Sequence, residues 1–171
     1  YKVTKDRDVV KLSDETNRSL FSVIDDSRMR LADDMDFAPG GAIYFSEATT
    51  RYDMHDWTVD ALEMRGNGRL IRYDPKDGSS LTVLPNRSFP NGICMTGDGE
   101  SLLFAETWRC RINRYWFSGP KKGTVEVVVP DLPGYPDNVR RSSDGMFWIA
   151  LVGMRTPALD LACRMPDFRR R

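Results

Sequence analysis

Histidine and cysteine are scarce in this chain. Among 171 residues there is one histidine, His55, and there are three cysteines, Cys94, Cys110 and Cys163. An odd number of cysteines without short spacings does not indicate a disulfide framework, and a zinc site would need close pairs of His or Cys ligands. We therefore interpret the three cysteines as buried or unreactive thiols, with a Cys94–Cys110 disulfide across neighbouring strands as the alternative.

Net charge and long apolar segments are also missing. The 25 basic residues balance the 25 acidic residues, so the charge gives no reason to expect binding to nucleic acid or to an anionic membrane. No apolar run approaches the roughly 20 residues of a membrane-spanning helix, and the sequence does not otherwise indicate membrane association. With 40% hydrophobic residues, the chain is expected to fold around a core.

The sequence does contain a motif that occurs three times. Each copy has an Asp or Asn at the start of a short apolar strand, then a turn with glycine, then a second apolar strand. The polar residue and the turn glycine are Asp33 and Gly41, Asn91 and Gly99, and Asp137 and Gly145. Since the separation is the same in every copy, Asp33, Asn91 and Asp137 are predicted to occupy equivalent positions.

A second repeated unit follows the first. Residues 68–73 match residues 110–115, and both lead through a turn to a β-branched run, at 81–84 and 125–129. Together the two units make a repeat of four short strands. Repeats of four strands with a period of about 40–50 residues are typical of β-propellers.

The predicted fold is therefore all-β, a partial β-propeller of four-stranded blades with short helical insertions. Residues 8–12 and 20–24 are interpreted as the outer hairpin of the first blade, and two whole blades and an inner half-blade follow. An open arc of this kind, with about three blades, leaves sheet edges unpaired. We expect residues 1–171 to be a segment of one propeller domain, truncated at both ends and completed by further blades.

Two segments have helical rather than strand spacing. The first lies within residues 52–64, with Asp53 as the predicted N-cap and Gly66 as the predicted stop, and would cover one face of the sheets. The second is residues 156–163, with Pro157 in its first turn. Trp57 on the first helix is a candidate for a substrate mouth or a membrane contact; we favour a packed lid.

The three equivalent polar residues suggest a metal site. The inner strands of a propeller run beside its axis, so Asp33, Asn91 and Asp137 are expected to converge there, and neighbouring carboxylates repel unless they are neutralised. A hard cation with oxygen ligands, such as Ca²⁺, relieves this repulsion, whereas zinc or copper would favour His or Cys ligands. The alternative is that each residue caps its own turn.

Two other groups of residues are candidates for chemistry. His55 is a candidate general base because imidazole titrates near neutral pH, although a lone histidine on a polar helix face is more often simply solvated. Glu47 and Glu106 end equivalent strands in two repeats. This repetition predicts a structural bond to the backbone rather than a catalytic role.

Several separated motifs resemble the strictosidine synthase-like family. They are FPNGI at 89–93, FAET at 104–107, SGPK at 118–121 and LPGYPDN at 132–138. That family is related to six-bladed propellers that include the adipocyte plasma-membrane-associated protein, the paraoxonases and the gluconolactonase/regucalcin proteins. The resemblance extends from about Val9 to about Pro157 and implies six blades, about three of which would be present here.

The resemblance also implies calcium in the central channel. Carried over by position, the ligands would be Asp33, Asn91, Asp137 and Asn138, with Asp34 in support. Tyr135, beside the last two ligands, joins Trp57 as a candidate for the substrate mouth. The catalytic glutamate of strictosidine synthase would fall beyond Arg171, so His55 is the only catalytic candidate.

Three functions are compatible with these features. We favour a calcium-supported hydrolase of esters or lactones that acts on a small-molecule substrate. The first alternative is the condensation of an amine with an aldehyde, as in strictosidine synthase. The second is a non-enzymatic binding scaffold in which calcium is structural.

Overall fold

A computed structural model of the chain describes residues 2–3, 9–10, 23–24 and 27–165. The described part consists mostly of antiparallel strands. In chain order the elements are β1 Lys2–Val3, β2 Val9–Val10, β3 Val23–Ile24, β4 Ser27–Arg28, β5 Leu31–Phe37, β6 Ile43–Thr49, α1 Trp57–Glu63, β7 Gly68–Asp74, β8 Ser79–Arg87, β9 Pro90–Met95, β10 Ser101–Glu106, a 3₁₀ turn at Thr107–Arg109, β11 Arg111–Trp116, β12 Val125–Val129, β13 Gly134–Arg141, β14 Phe147–Met154 and α2 Pro157–Arg164.

Two complete blades are formed as the repeats predicted. Strands β5, β6, β7 and β8 make one four-stranded antiparallel sheet in sequential order, and β9, β10, β11 and β12 make the second. Strands β13 and β14 form the inner half of another blade. Because β9 contacts both β5 and β13, the first strands of the three units lie side by side, as they do around the axis of a propeller.

The outer hairpin predicted from residues 8–12 and 20–24 is not formed between the described strands. Strand β2 pairs with β1, and β3 pairs with β4. Each short strand has thus taken a partner close in sequence rather than the predicted partner. The rest of the two predicted segments lies outside the described residues.

The structure contains both predicted helices, but only the second begins where we predicted. The second helix, α2, begins at Pro157 as expected. The prediction that Asp53 caps the first helix is wrong, because α1 begins only at Trp57 and the Asp53 carboxylate instead lies 3.3 Å from Arg30 Nη1. The predicted stop at Gly66 is also too late: Met64 ends α1 in the left-handed region, at φ +52°, and its N–H donates to the Asp60 carbonyl.

The core lies between the blades. Leu70 of the first blade and Leu102 and Phe104 of the second are fully buried in one cluster. At the edge of this cluster the Tyr44 ring stacks on Phe117 with 5.0 Å between centroids. A further cluster between the second blade and β13 contains Val139, which is also fully buried. These contacts fix the positions of the inner strands, and therefore of the side chains that open them.

Cys94 and Cys110 are buried and are not joined in a disulfide, which confirms the interpretation of these two cysteines as buried thiols and excludes the alternative. The side chain of Cys163 lies outside the described part. Among the described residues, no helix combines the length and the hydrophobicity needed to cross a bilayer.

Candidate functional site

Each inner strand carries a β-bulge at the same place. The pairing of β5 with β6 is interrupted between Ala32 and Met35, that of β9 with β10 between Pro90 and Ile93, and that of β13 with β14 between Pro136 and Val139. The first residues of the three bulges are Asp33, Asn91 and Asp137. A bulge bends the strand and re-aims its side chains, so these polar groups are displaced from the regular ladder in the same way.

Neighbouring bulges are in direct backbone contact. A Cβ atom added to Gly92 would lie 2.4 Å from the Val139 nitrogen and 2.5 Å from the Asp137 carbonyl oxygen. Glycine is therefore required at this point for the β9 and β13 bulges to approach each other. On the other side of β9, Ser46 Oγ donates to the Asn91 carbonyl at 2.7 Å, which ties the first blade to the same bulge.

The carboxamide of Asn91 lies buried in this region with an unsatisfied oxygen. Asn91 is 6% exposed, and its Oδ1 atom has no hydrogen-bond partner. An unpaired acceptor away from water is costly, and most buried acceptors in proteins are paired. An oxygen in this state is a ready ligand for a cation.

The charge at Asp33 is unfavourable in the absence of a cation. The pKa of Asp33 is raised from 3.8 to about 6, mainly by burial and then by the charges of Asp137 and Asp34. Asp33 is exposed to solvent, so this shift belongs to a group at the protein surface rather than in a closed interior. The mutual effect of the charges shows that Asp33 and Asp137 lie near each other.

The available donors suit a hard cation. In the described part of the chain, no three residues of the His, Cys, Asp and Glu types cluster as a metal site. The candidate set instead mixes the carboxylates of Asp33 and Asp137 with the amide oxygen of Asn91. Carboxylate and amide oxygens are ligands that Ca²⁺ prefers, so the residues present fit calcium. Asn138, the fourth predicted ligand, is exposed in the β13 bulge.

The neighbouring Asp34 is already engaged by protein groups. Its Oδ2 atom accepts a hydrogen bond from the Ile93 N–H at 2.9 Å and one from Arg140 Nη1 at 2.6 Å. Its Oδ1 atom accepts another from Arg140 Nη2 at 2.9 Å. Both oxygens of Asp34 are thus occupied by protein donors, which agrees with a supporting role rather than direct binding of a cation.

An aromatic cluster stands beside the bulges, and we call Trp57, Phe89, Trp108 and Tyr135 the aromatic wall. Phe89 and Tyr135 each lie two residues before the first residue of a bulge, and both contact Trp108, with ring centroids 4.6 and 6.0 Å away. Trp57 of α1 stacks on Trp108 at 6.1 Å and 9°. The predicted mouth residues Trp57 and Tyr135 are thus joined through a residue that the sequence did not identify.

A buried carboxylate fixes this wall. Asp60 of α1 is fully buried, and its Oδ1 atom accepts a hydrogen bond from Trp108 Nε1 at 3.0 Å. Its Oδ2 atom accepts another from Asn67 Nδ2 at 2.9 Å. The sequence gave no signal for this contact, because an acidic residue on a short surface helix is usually solvated. His55, the candidate base, is exposed in the turn before α1.

The repeated glutamates lie inside the blades. Glu47 Oε1 accepts from the Arg30 N–H at 2.7 Å and its Oε2 from Arg69 Nε at 2.6 Å. Glu106 is held in the same way by the Ser88 N–H, at 2.9 Å, and by an arginine of its own blade. In each blade the glutamate links the backbone just before the first strand to an arginine of the third strand, which confirms the predicted structural role.

Comparisons with known proteins identify relatives of this chain. Residues 33–120 match the family model described as strictosidine synthase. Strictosidine synthase-like protein 13 of Arabidopsis thaliana is 45% identical over 138 residues, which cover 81% of this chain and 34% of that protein. The adipocyte plasma membrane-associated protein of Danio rerio is 36% identical over 129 residues, 75% of this chain and 31% of that protein. The chain thus spans about a third of the length of these relatives.

Solved structures agree on the fold. A gluconolactonase from Xanthomonas campestris superposes with a TM-score of 0.61 at 16% identity, over 81% of this chain and 48% of that one. Regucalcin from Agrobacterium tumefaciens, named as a calcium-binding protein, superposes with a TM-score of 0.53 at 21% identity, over 70% of this chain and 38% of that one. With the blades, the bulges and the family match taken together, the chain belongs to the strictosidine synthase family and has its β-propeller fold.

Proposed function

We propose that this chain carries the calcium-binding part of a hydrolase that acts on esters or lactones. The observation that supports the proposal most directly is the alignment of three equivalent bulges around the buried, unpaired Oδ1 atom of Asn91. The carboxylates of Asp33 and Asp137 occupy the equivalent positions of the two neighbouring bulges, and the pKa of Asp33 is raised to about 6 by burial and by its acidic neighbours. A cation bound here would neutralise these carboxylates and give the Asn91 oxygen a partner.

Asp33, Asn91 and Asp137 would hold the cation, and the exposed Asn138 is placed to join them. When bound, Ca²⁺ supplies electrostatic stabilisation for the negative charge that develops on a carbonyl oxygen under attack. Two carboxylates match the charge of one calcium ion, so the occupied site would be close to neutral.

The aromatic wall gives the site a second property. Trp57 is exposed and Trp108 is half-buried, so their faces are available to the organic part of a substrate, while Phe89 and Tyr135 are buried behind them. A flat apolar surface next to a charged centre suits an ester or lactone with an apolar group. We place the general base in another blade, because His55, the candidate in this chain, lies in an exposed turn.

The proposed reaction class is based in part on the structural relatives. One of them is a gluconolactonase and another is a calcium-binding protein on the same fold. Both share less than a quarter of their residues with this chain, so they support the hydrolase through the fold and the donor set in combination, and the substrate has to be found by assay.

The test is turnover by the full-length protein on a panel of aryl esters and lactones, with calcium and with a chelator. We expect hydrolysis that is lost on chelation and restored by Ca²⁺. The variant Asp33→Asn should reduce it at least tenfold, since metal ligands and their supports typically carry effects of this size. Asp77→Asn is the matched control, because Asp77 is an exposed turn carboxylate that accepts from the Ser79 N–H.

Other outcomes would favour the alternatives. Calcium that raises the melting temperature without turnover on any ester or lactone would indicate a binding scaffold. Formation of a carbon–nitrogen product from an amine and an aldehyde, without hydrolysis, would indicate the condensation reaction instead.

A further inference from the structure

We propose that Arg140 is a positioning residue for the calcium site: its guanidinium holds Asp34 and thereby sets the spacing of the three bulges. The inference rests on the proposed site at Asp33, Asn91 and Asp137, and assigns a role to an exposed arginine outside that set. Arg140 lies on β13, three residues after Asp137.

The contact between Arg140 and Asp34 is a two-pronged ion pair. Nη1 donates to Oδ2 at 2.6 Å and Nη2 donates to Oδ1 at 2.9 Å. The paired residues are 106 positions apart in the chain and belong to the first and third inner strands. Since Asp34 adjoins Asp33 and Arg140 follows Asp137 closely, the pair couples the positions of the two carboxylates that would bind the cation.

The middle strand is part of the same connection. The Ile93 N–H of β9 donates to Asp34 Oδ2 at 2.9 Å. Arg140 Nη1 also donates to its own strand, at the Val139 carbonyl, with a distance of 2.7 Å. One carboxylate and one guanidinium therefore link β5, β9 and β13 within two or three residues of the bulges.

The ion pair also affects the net charge of the carboxylates at the proposed calcium site. Without the ion pair to Arg140, Asp34 would be a third uncompensated carboxylate, adjoining Asp33 in the chain. The guanidinium neutralises Asp34, which leaves two uncompensated carboxylates for one Ca²⁺. Lysine would supply the same charge but not the planar fork that fixes both carboxylate oxygens, so the substitution Arg140→Lys separates geometry from charge.

The experiment is calcium titration of the full-length protein by calorimetry, without substrate. We expect Arg140→Lys to weaken calcium binding about tenfold, the lower end of the range for outer-shell partners of metal ligands. Asp34→Asn should weaken it as well, because it removes one prong and leaves the guanidinium charge uncompensated. Arg155→Lys is the matched control, since Arg155 makes a comparable two-pronged pair with Asp160 between β14 and α2.

The melting temperature of the metal-free variants serves as the second measurement. The Arg140 side chain is 58% exposed although that of Asp34 is only 10% exposed, so replacing this cation by lysine should cost little stability, and we expect the melting temperature of Arg140→Lys to be close to that of the wild type. Wild-type calcium affinity in Arg140→Lys, or a loss matched by Arg155→Lys, would overturn the inference. A wild-type protein that binds no calcium would overturn both the site and the inference, whereas calcium binding without hydrolysis would remove only the proposed reaction.

Discussion

Replacement of Glu106 by glutamine should destabilise the protein without disabling the site. Glu106 is almost fully buried and both of its oxygens are occupied. Its Oε1 atom accepts from the Ser88 N–H at 2.9 Å, and its Oε2 atom accepts from Arg111 Nε at 2.7 Å and from Asn113 Nδ2 at 3.0 Å. All of these partners are donors.

The magnitude follows from this geometry. Glutamine has a single acceptor oxygen, so its amide nitrogen must face a donor on one side or the other, which leaves at least one buried N–H unpaired at a cost of about 1–3 kcal/mol. Arg111 in addition loses its carboxylate partner; a broken buried ion pair costs about 3–5 kcal/mol, and the partial exposure of Arg111 reduces that figure. We expect the free energy of unfolding of Glu106→Gln to fall by about 3 kcal/mol.

Urea unfolding of the full-length protein measures this change, and hydrolysis per folded molecule is measured in parallel. The control is Glu126→Gln, because Glu126 makes an exposed pair with Lys121 at 3.6 Å and should cost at most about 1 kcal/mol. Equal stability of the two variants would refute the structural account of Glu106. Full stability of Glu106→Gln with loss of hydrolysis would make Glu106 a catalytic residue instead.

Three further results are expected. Gly92→Ala should lower the free energy of unfolding by about 1–3 kcal/mol or more through backbone overlap and should weaken calcium binding. Gly153→Ala should do neither, because its added Cβ would meet only a side-chain atom at 3.9 Å. Similar losses in both variants would contradict the contact between bulges. Calcium affinity measured by calorimetry should fall as the pH drops below about 6, because protons then compete for Asp33, whose pKa is raised from 3.8 to about 6. The stability of the metal-free protein should show the opposite trend, because the contribution of Asp33 is full below about pH 4 and is lost as the pH rises through 6. A flat profile would count against the site. Trp108→Ala should raise KM for aryl esters more than for aliphatic lactones in steady-state assays, and an equal effect on both would remove the aromatic wall from substrate binding.

The sequence was sufficient for the parts of the fold that repeat. The constant spacing from Asp33, Asn91 and Asp137 to their turn glycines identified equivalent positions, and the structure places all three at the first residue of equivalent bulges. The paired Glu47 and Glu106 were recognised as structural for the same reason. Repetition compares a chain with itself, so it is informative without any knowledge of the three-dimensional contacts.

Contacts between distant residues that do not repeat were beyond the sequence. The pair of Asp34 and Arg140 joins two blades, and the hydrogen bond from Trp108 to Asp60 spans 48 residues; in the part of the chain that the structure describes, neither contact is repeated in another blade. The local sequence signal for a helix N-terminus also failed, because more than one residue could serve as the N-cap. Asp53 and Asp56 both precede α1, and the chain forms a turn at the first and begins the helix after the second.

A crystal structure of the full-length protein grown with calcium tests the central claim most directly. We predict a cation between Asp33, Asn91 and Asp137, with oxygen ligands at about 2.3–2.6 Å and with the now unpaired Asn91 Oδ1 atom among them. Electron density that shows no cation at the three bulges in saturating calcium, or an Asn91 oxygen that is hydrogen-bonded to a protein group, would contradict it.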